Sequence, residues 1–84
     1  MRHPRAGELD ALSPLLDQLR SFDALVEKSP GVFYRKSKAF LHFHIDGDLY
    51  YADVKIPGPE FERVRVTTRS EQRALVVAVQ EALA

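Results

Sequence analysis

The chain contains no cysteine. That absence excludes disulfides, a thiolate nucleophile and cysteine metal knuckles, and with them a disulfide-stapled secreted mini-protein. Long apolar runs are also missing. The longest, Ala74 to Val79, is far short of a membrane span. The basic start Met1-Arg2-His3-Pro4-Arg5 is not followed by an apolar segment of signal-peptide length. Together these point to a cytoplasmic protein with no membrane partner. Net charge is absent too, since 12 Lys and Arg balance 12 Asp and Glu. No global field therefore steers the protein toward nucleic acid or membrane. Locally the charge is uneven, because Val32 to Ile45 holds Arg35, Lys36 and Lys38 without an acid.

What is present fits one small domain. A chain of 84 residues has room for a single core. At this size folding buries about 60–65% of the surface exposed when unfolded, and stability should be roughly 4–12 kcal/mol. Little room remains for a deep enclosed site, which argues against an enzyme that surrounds its substrate. No GxSxG elbow, phosphate-binding glycine loop or HExxH motif occurs. Ser37 falls in a turn, and Thr67, Thr68 and Ser70 fall at a helix start, where capping explains them. Glu60 and Glu62 share a face by alternation and read as solvated edge carboxylates.

The periodicity changes along the chain. Residues 1–12 read as flexible or partly helical, ahead of a single α+β domain over residues 13–84. Ser13-Pro14 suits a helix start, with serine as the cap and proline preset at the helical angle. Leu15, Leu19, Phe22 and Val26 then form one apolar stripe, predicting a helix that runs to Ser29-Pro30-Gly31. Val32 to Arg35 reads as a strand, Lys36-Ser37-Lys38 as a turn. Ala39 to Ile45 alternates, with Leu41, Phe43 and Ile45 on one face and Phe40, His42 and His44 on the other. Asp46-Gly47-Asp48 signals a hairpin. In the next strand Tyr50, Ala52, Val54 and Ile56 share one face, and Leu49, Tyr51, Asp53 and Lys55 the other. An even loop length keeps both apolar faces together, so the turn centres on Asp46-Gly47 or on Gly47-Asp48. After the rigid Pro57-Gly58-Pro59 break, Phe61 to Val66 predicts a fourth strand, with Val64 and Val66 inward and Arg63 and Arg65 outward. Thr68 and Glu71 have capping-box spacing before a final helix carrying Leu75, Ala78, Val79 and Ala82 on one face. The expected fold is α+β: an N-terminal helix, a four-stranded antiparallel meander and a C-terminal helix, both helices on one sheet face.

The second sheet face carries the chemistry. His42 and His44 emerge on the same side of one strand. With the turn at Gly47-Asp48 they oppose Asp53 and Tyr51; with the turn at Asp46-Gly47 they oppose Tyr51 and Leu49. Two imidazoles and a carboxylate can hold a metal ion, although solvated histidines packed on tyrosine account for the same residues. Phe33, Phe40 and Tyr51 interleaved with Arg35, Lys55, Arg63 and Arg65 could instead stack bases and hold phosphates. Zero net charge and the central Asp53 count against nucleic acid. A protein partner or a homodimer covering Phe33, Phe40, Leu49 and Tyr51 is the third possibility. The leading expectation is a non-catalytic binding module without a cofactor, using Phe33, Arg35, Phe40, His42, His44, Tyr51, Asp53, Lys55, Arg63 and Arg65 for a protein partner or self-association. Nucleic acid ranks second and a metal at His42, His44 and Asp53 third.

Pro30-Gly31-Val32, Arg35 and Lys38, His42-Phe43-His44, Ala52-Asp53-Val54, Phe61-Glu62-Arg63 and the start from Thr67-Thr68 to Glu71-Gln72 resemble small conserved bacterial proteins of unknown function. The resemblance covers about residues 22–84 and includes no catalytic motif. The helix and meander order is similar to the compact YjbR-like α+β proteins, some labelled DNA-binding. It implies the fold and carries over no site residues.

Overall fold

Leucine spacing drives the first half of the chain. The computed structural model describes residues 2–84. Helix α1 (Ala6–Leu9) passes through a 3-10 turn (Asp10–Leu12) into α2 (Ser13–Arg20). Leu9, Leu12, Leu15, Leu16 and Leu19 are all buried, forming one side of the core. Because the chain is already helical before Ser13, the Ser13 amide donates to the Asp10 carbonyl and Ser13 is not the cap.

Helix α2 stops earlier than its apolar stripe predicts. The Ser21 hydroxyl donates to the Gln18 carbonyl at 2.6 Å, and the chain turns over Asp23-Ala24 into strand β1 (Leu25–Ser29). Leu25 is buried, while Val26 is 56% exposed on the opposite face of this edge strand. The sheet therefore has five strands where four were expected. Pro30-Gly31, read as a helix stop, is a hairpin turn with Gly31 at φ +76°, as a type II turn requires. Glu27 secures the junction. It accepts from Arg20 Nε at 2.6 Å and from the Gly31 amide at 2.9 Å. The Arg20 guanidinium holds the Glu27 carboxyl below the usual carboxylate range.

Strands β2 (Val32–Arg35), β3 (Lys38–Asp46), β4 (Leu49–Val54) and β5 (Glu62–Arg65) follow, and all five pair in chain order as an antiparallel meander. Helix α3 (Arg69–Leu83) closes the core with Leu75 and Val79. Its capping box is present. Thr68 Oγ1 accepts from the Glu71 amide at 3.2 Å, and Glu71 accepts from the Thr68 amide at 2.9 Å. The helices lie against the sheet face carrying Phe33, Leu41, Phe43, Ala52 and Val54.

Two register decisions position the remaining residues. Asp46 pairs with Leu49, so the β3–β4 loop is Gly47-Asp48. Gly47 has φ +61° and Asp48 does not share a positive φ, the type II′ pattern. The second decision is a bulge. Phe33 opposes Leu41, whereas Tyr34 opposes Ala39, so Phe40 is an extra residue in β3. A bulge breaks alternation, and Phe40 and Leu41 are both buried, at 4% and 0% exposure. The expectation that Phe40 lies on the open face is corrected for that reason. Phe33 is corrected as well: at 1% exposure it belongs to the core, because β2 presents adjacent aromatics and alternation alone cannot choose between Phe33 and Tyr34. Val64 does oppose the core residue Ala52, but β5 is an edge strand and leaves it 37% exposed. Among the described residues, no helix is long and apolar enough to cross a membrane.

Candidate metal centre on the open sheet face

The Gly47-Asp48 turn places His42 opposite Asp53 and His44 opposite Tyr51, and the β4–β5 register places Asp53 opposite Arg63. Alternation sends His42, His44, Asp53 and Arg63 to the sheet face away from the helices. Asp53 is the one buried charged residue in the described core, at 8% exposure. A buried carboxylate needs compensation, and it has several partners. Arg63 forks onto it, with Nε donating to Oδ1 at 2.7 Å and Nη2 donating to Oδ2 at 2.9 Å. His44 Nε2 lies 2.9 Å from the same Oδ2, and His42 Nε2 lies 3.4 Å from it.

Two imidazoles and one guanidinium thus converge on a single carboxylate oxygen. Arg63 holds the Asp53 carboxyl below its ordinary value, with smaller help from His44 and His42, so Asp53 is ionised at neutral pH. Burial pushes the His42 imidazole down, more strongly than Asp53 pulls it up, which favours the neutral ring. A neutral imidazole and an ionised carboxylate are the protonation states a metal ion requires.

The chain start adds a third imidazole. The Arg2 amide donates to the Ile45 carbonyl at 3.0 Å, and the Ile45 amide donates to the Arg2 carbonyl at 2.7 Å. This bridge lays the N-terminal segment beside the far end of β3. It brings the His3 ring to 4.8 Å from His44 and 5.8 Å from His42, centroid to centroid. Glu8 secures the arrangement by accepting from Arg2 Nη1 at 2.6 Å and from the Arg5 amide at 2.9 Å. Phe61 closes the other side, edge-on to His42 at 4.9 Å, with Lys55 Nζ 5.0 Å from its ring centroid.

Of the residues selected from the sequence, His42, His44, Tyr51, Asp53, Lys55 and Arg63 share this face. Phe33 and Phe40 do not. Arg35 is also displaced: two residues from buried Phe33 it shares the helix side, and it lines a depression at the sheet end with Lys55, whose stem borders both faces, and with Ala78, Glu81 and Ala82 of α3. Arg65 opposes Tyr51, but its guanidinium pairs with Glu71 at 3.2 Å and does not join Asp53. The readings based on stacking and on apolar contact therefore lose two of their aromatics, while the histidine–aspartate cluster is compact. His3 and Phe61 escaped sequence reasoning. Nothing in Met1-Arg2-His3-Pro4-Arg5 signals pairing to a strand more than forty residues away, and Phe61 precedes β5 in a loop whose path follows from the fold.

The donor atoms of His42, His44 and Asp53 all lie within 4.8 Å of one another. In a four-coordinate site with bonds of about 2.0–2.1 Å, adjacent ligand atoms are about 3.3–3.4 Å apart. The 3.4 Å separation of His42 Nε2 from Oδ2 matches that spacing, and the 2.9 Å separation of His44 Nε2 would open slightly around an ion. No family model, curated protein or solved structure matches this chain.

Proposed function

We propose that the protein is a small metal-binding module, taking a zinc-class transition-metal ion on its open sheet face. His42 Nε2, His44 Nε2 and Asp53 Oδ2 are the protein ligands. His3, the nearest further imidazole, or a water completes the set. One observation carries the reading: both Nε2 atoms lie within 3.4 Å of the same carboxylate oxygen, and the three donor atoms lie within 4.8 Å of one another. The ligand chemistry agrees with it, since imidazole nitrogen with carboxylate oxygen suits zinc, nickel or copper. Arg63 supports the site by fixing the carboxylate so that Oδ2 faces the rings, as outer partners of metal ligands commonly do.

Calorimetric titration of the metal-stripped protein with Zn²⁺ tests this, with Co²⁺ absorption as a readout of coordination geometry. The expected result is one saturable site at micromolar metal and visible d–d bands typical of four-coordinate cobalt. His42→Ala and His44→Ala should each abolish the site, and His3→Ala should weaken it. The absence of saturable heat at micromolar Zn²⁺ or Ni²⁺ would leave a hydrogen-bonded Arg–Asp–His network and no metal site.

A further inference from the structure

A second cluster lies toward the β2–β3 turn, adjoining the first through Lys55 and Phe61. Arg35 ends β2, Lys38 begins β3, and Lys55 follows β4 directly. The antiparallel meander brings these three strand ends to one corner. There they line a depression of about 420 Å³ whose other walls are Ala39, Phe40, Pro57, Gly58 and Pro59. A neighbouring depression shares Arg35, Lys55 and Pro57 and reaches Ala78, Glu81 and Ala82 of α3.

Three features characterise this corner. It is concave and partly walled by proline and alanine. Among the described residues, none of Arg35, Lys38 and Lys55 makes an ion pair, as is also true of Arg5, Lys28, Lys36, Arg69 and Arg73; these three, however, line one depression together. Finally, Arg35 Nε is buried and has no hydrogen-bond acceptor in the protein. Buried donors are almost always paired, and an unpaired one beside a concave basic wall is explained by a partner, ion or water, that the guanidinium turns to meet. An oxyanion provides that partner, because a guanidinium matches phosphate oxygens with its planar fork and lysine adds a point charge.

We propose that this corner is a binding site for a small phosphate-bearing anion, held by Arg35 and Lys38 with Lys55 at the rim. Lys55 takes the rim because its ammonium also leans on Phe61. A compact anion fits better than a polynucleotide. Arg63 and Arg65, the cations that would extend a basic track along the sheet, are neutralised by Asp53 and Glu71. The site uses none of the proposed metal ligands, so the two readings stand or fall separately.

The test is an amide NMR titration of the metal-stripped protein with pyrophosphate, at low and at high salt. Saturable shifts at Arg35, Lys38, Lys55 and Gly58, with Kd on the order of 1 mM or tighter, are expected, and they should weaken as salt rises. Arg35→Gln should lose about tenfold in affinity, the loss expected for a charge-assisted contact. Lys38→Gln provides a second variant at an exposed position where folding is not at stake, and its affinity should also fall several-fold. A short single-stranded DNA is the competing probe. The proposal is overturned if shifts fail to saturate, if both variants bind pyrophosphate like the parent, or if the oligonucleotide binds more tightly than pyrophosphate.

Discussion

Asp53→Asn is the substitution that most directly probes the cluster. It preserves volume and removes one charge. In the metal-stripped protein the carboxylate accepts two bonds from Arg63, and His44 Nε2 lies 2.9 Å from it. Two limits bracket the cost. Breaking a fully buried pair costs about 3–5 kcal/mol, and losing an exposed pair costs about 0–1 kcal/mol. Here the Asp53 side chain is 12% exposed and that of Arg63 is 47% exposed. Water can therefore rehydrate the guanidinium but reaches the position-53 side chain poorly. The new amide also turns an NH₂ group toward Arg63 or toward the imidazoles, where donors already crowd. An intermediate loss of about 2 kcal/mol follows. For a domain of this size that lowers Tm by roughly 8–16 °C, at about 4–8 °C per kcal/mol. Urea denaturation followed by circular dichroism with EDTA present measures it. A change below about 0.5 kcal/mol would refute the reasoning, because it would place Asp53 in ordinary contact with water. Added zinc at about 100 times Kd should stabilise the parent by about 2.7 kcal/mol and leave Asp53→Asn unchanged.

Three further predictions follow from the fold. The β2–β3 hairpin turns on Lys36 and Ser37, both in the left-handed region at φ +52° and +67°, where a Cβ is unfavourable; Ser37→Gly should raise stability by about 1 kcal/mol in the same urea assay. Phe40→Ala should cost about 3–5 kcal/mol, as for a core aromatic, whereas a solvent-facing Phe40 would give a change within about 0.5 kcal/mol. Acid should destabilise the protein in two stages. His42 has a depressed folded pKa, so its contribution is complete above the ordinary histidine value and is lost as pH falls through and below about 6.5. Glu27, Asp53 and Glu71 are depressed carboxyls whose contributions are complete above the ordinary carboxylate values, about 4. Those contributions disappear as pH falls below that range. The Glu8 carboxyl is lowered to about 2 by Arg2, so the Arg2–Glu8 tie should persist longest on acidification. Histidine C–H and glutamate side-chain NMR titrations resolve the stages; stability that rises on acidification below pH 6.5 would contradict them.

Strict alternation made β4 and the His42–His44 half of β3 legible, because period-two burial on one face leaves a strong pattern. The α3 start was equally clear, since a threonine–glutamate capping box is local chemistry. Helix α2 was read too long. Phe22 and Val26 continue a helical stripe, and the competing turn at Ser21 to Ala24 carries no glycine or proline to announce it. Phe33 and Arg35 were placed on the wrong side because four residues with adjacent aromatics do not determine which face is buried. Phe40 was misplaced by a bulge, which depends on how β2 and β3 meet.

Local chemistry along the chain therefore determined the fold class, the order of β2 to β5 and α3, and the shared face of His42, His44 and Asp53. Tertiary structure alone decided which hairpin register operates, that Asp53 is buried under an Arg63 fork, and that His3 and Phe61 flank the histidines. The difference is one of range. Capping, turn chemistry and alternation act over a few residues, whereas Arg2 meeting Ile45 and three cations converging on one corner depend on segments brought together only when the core closes.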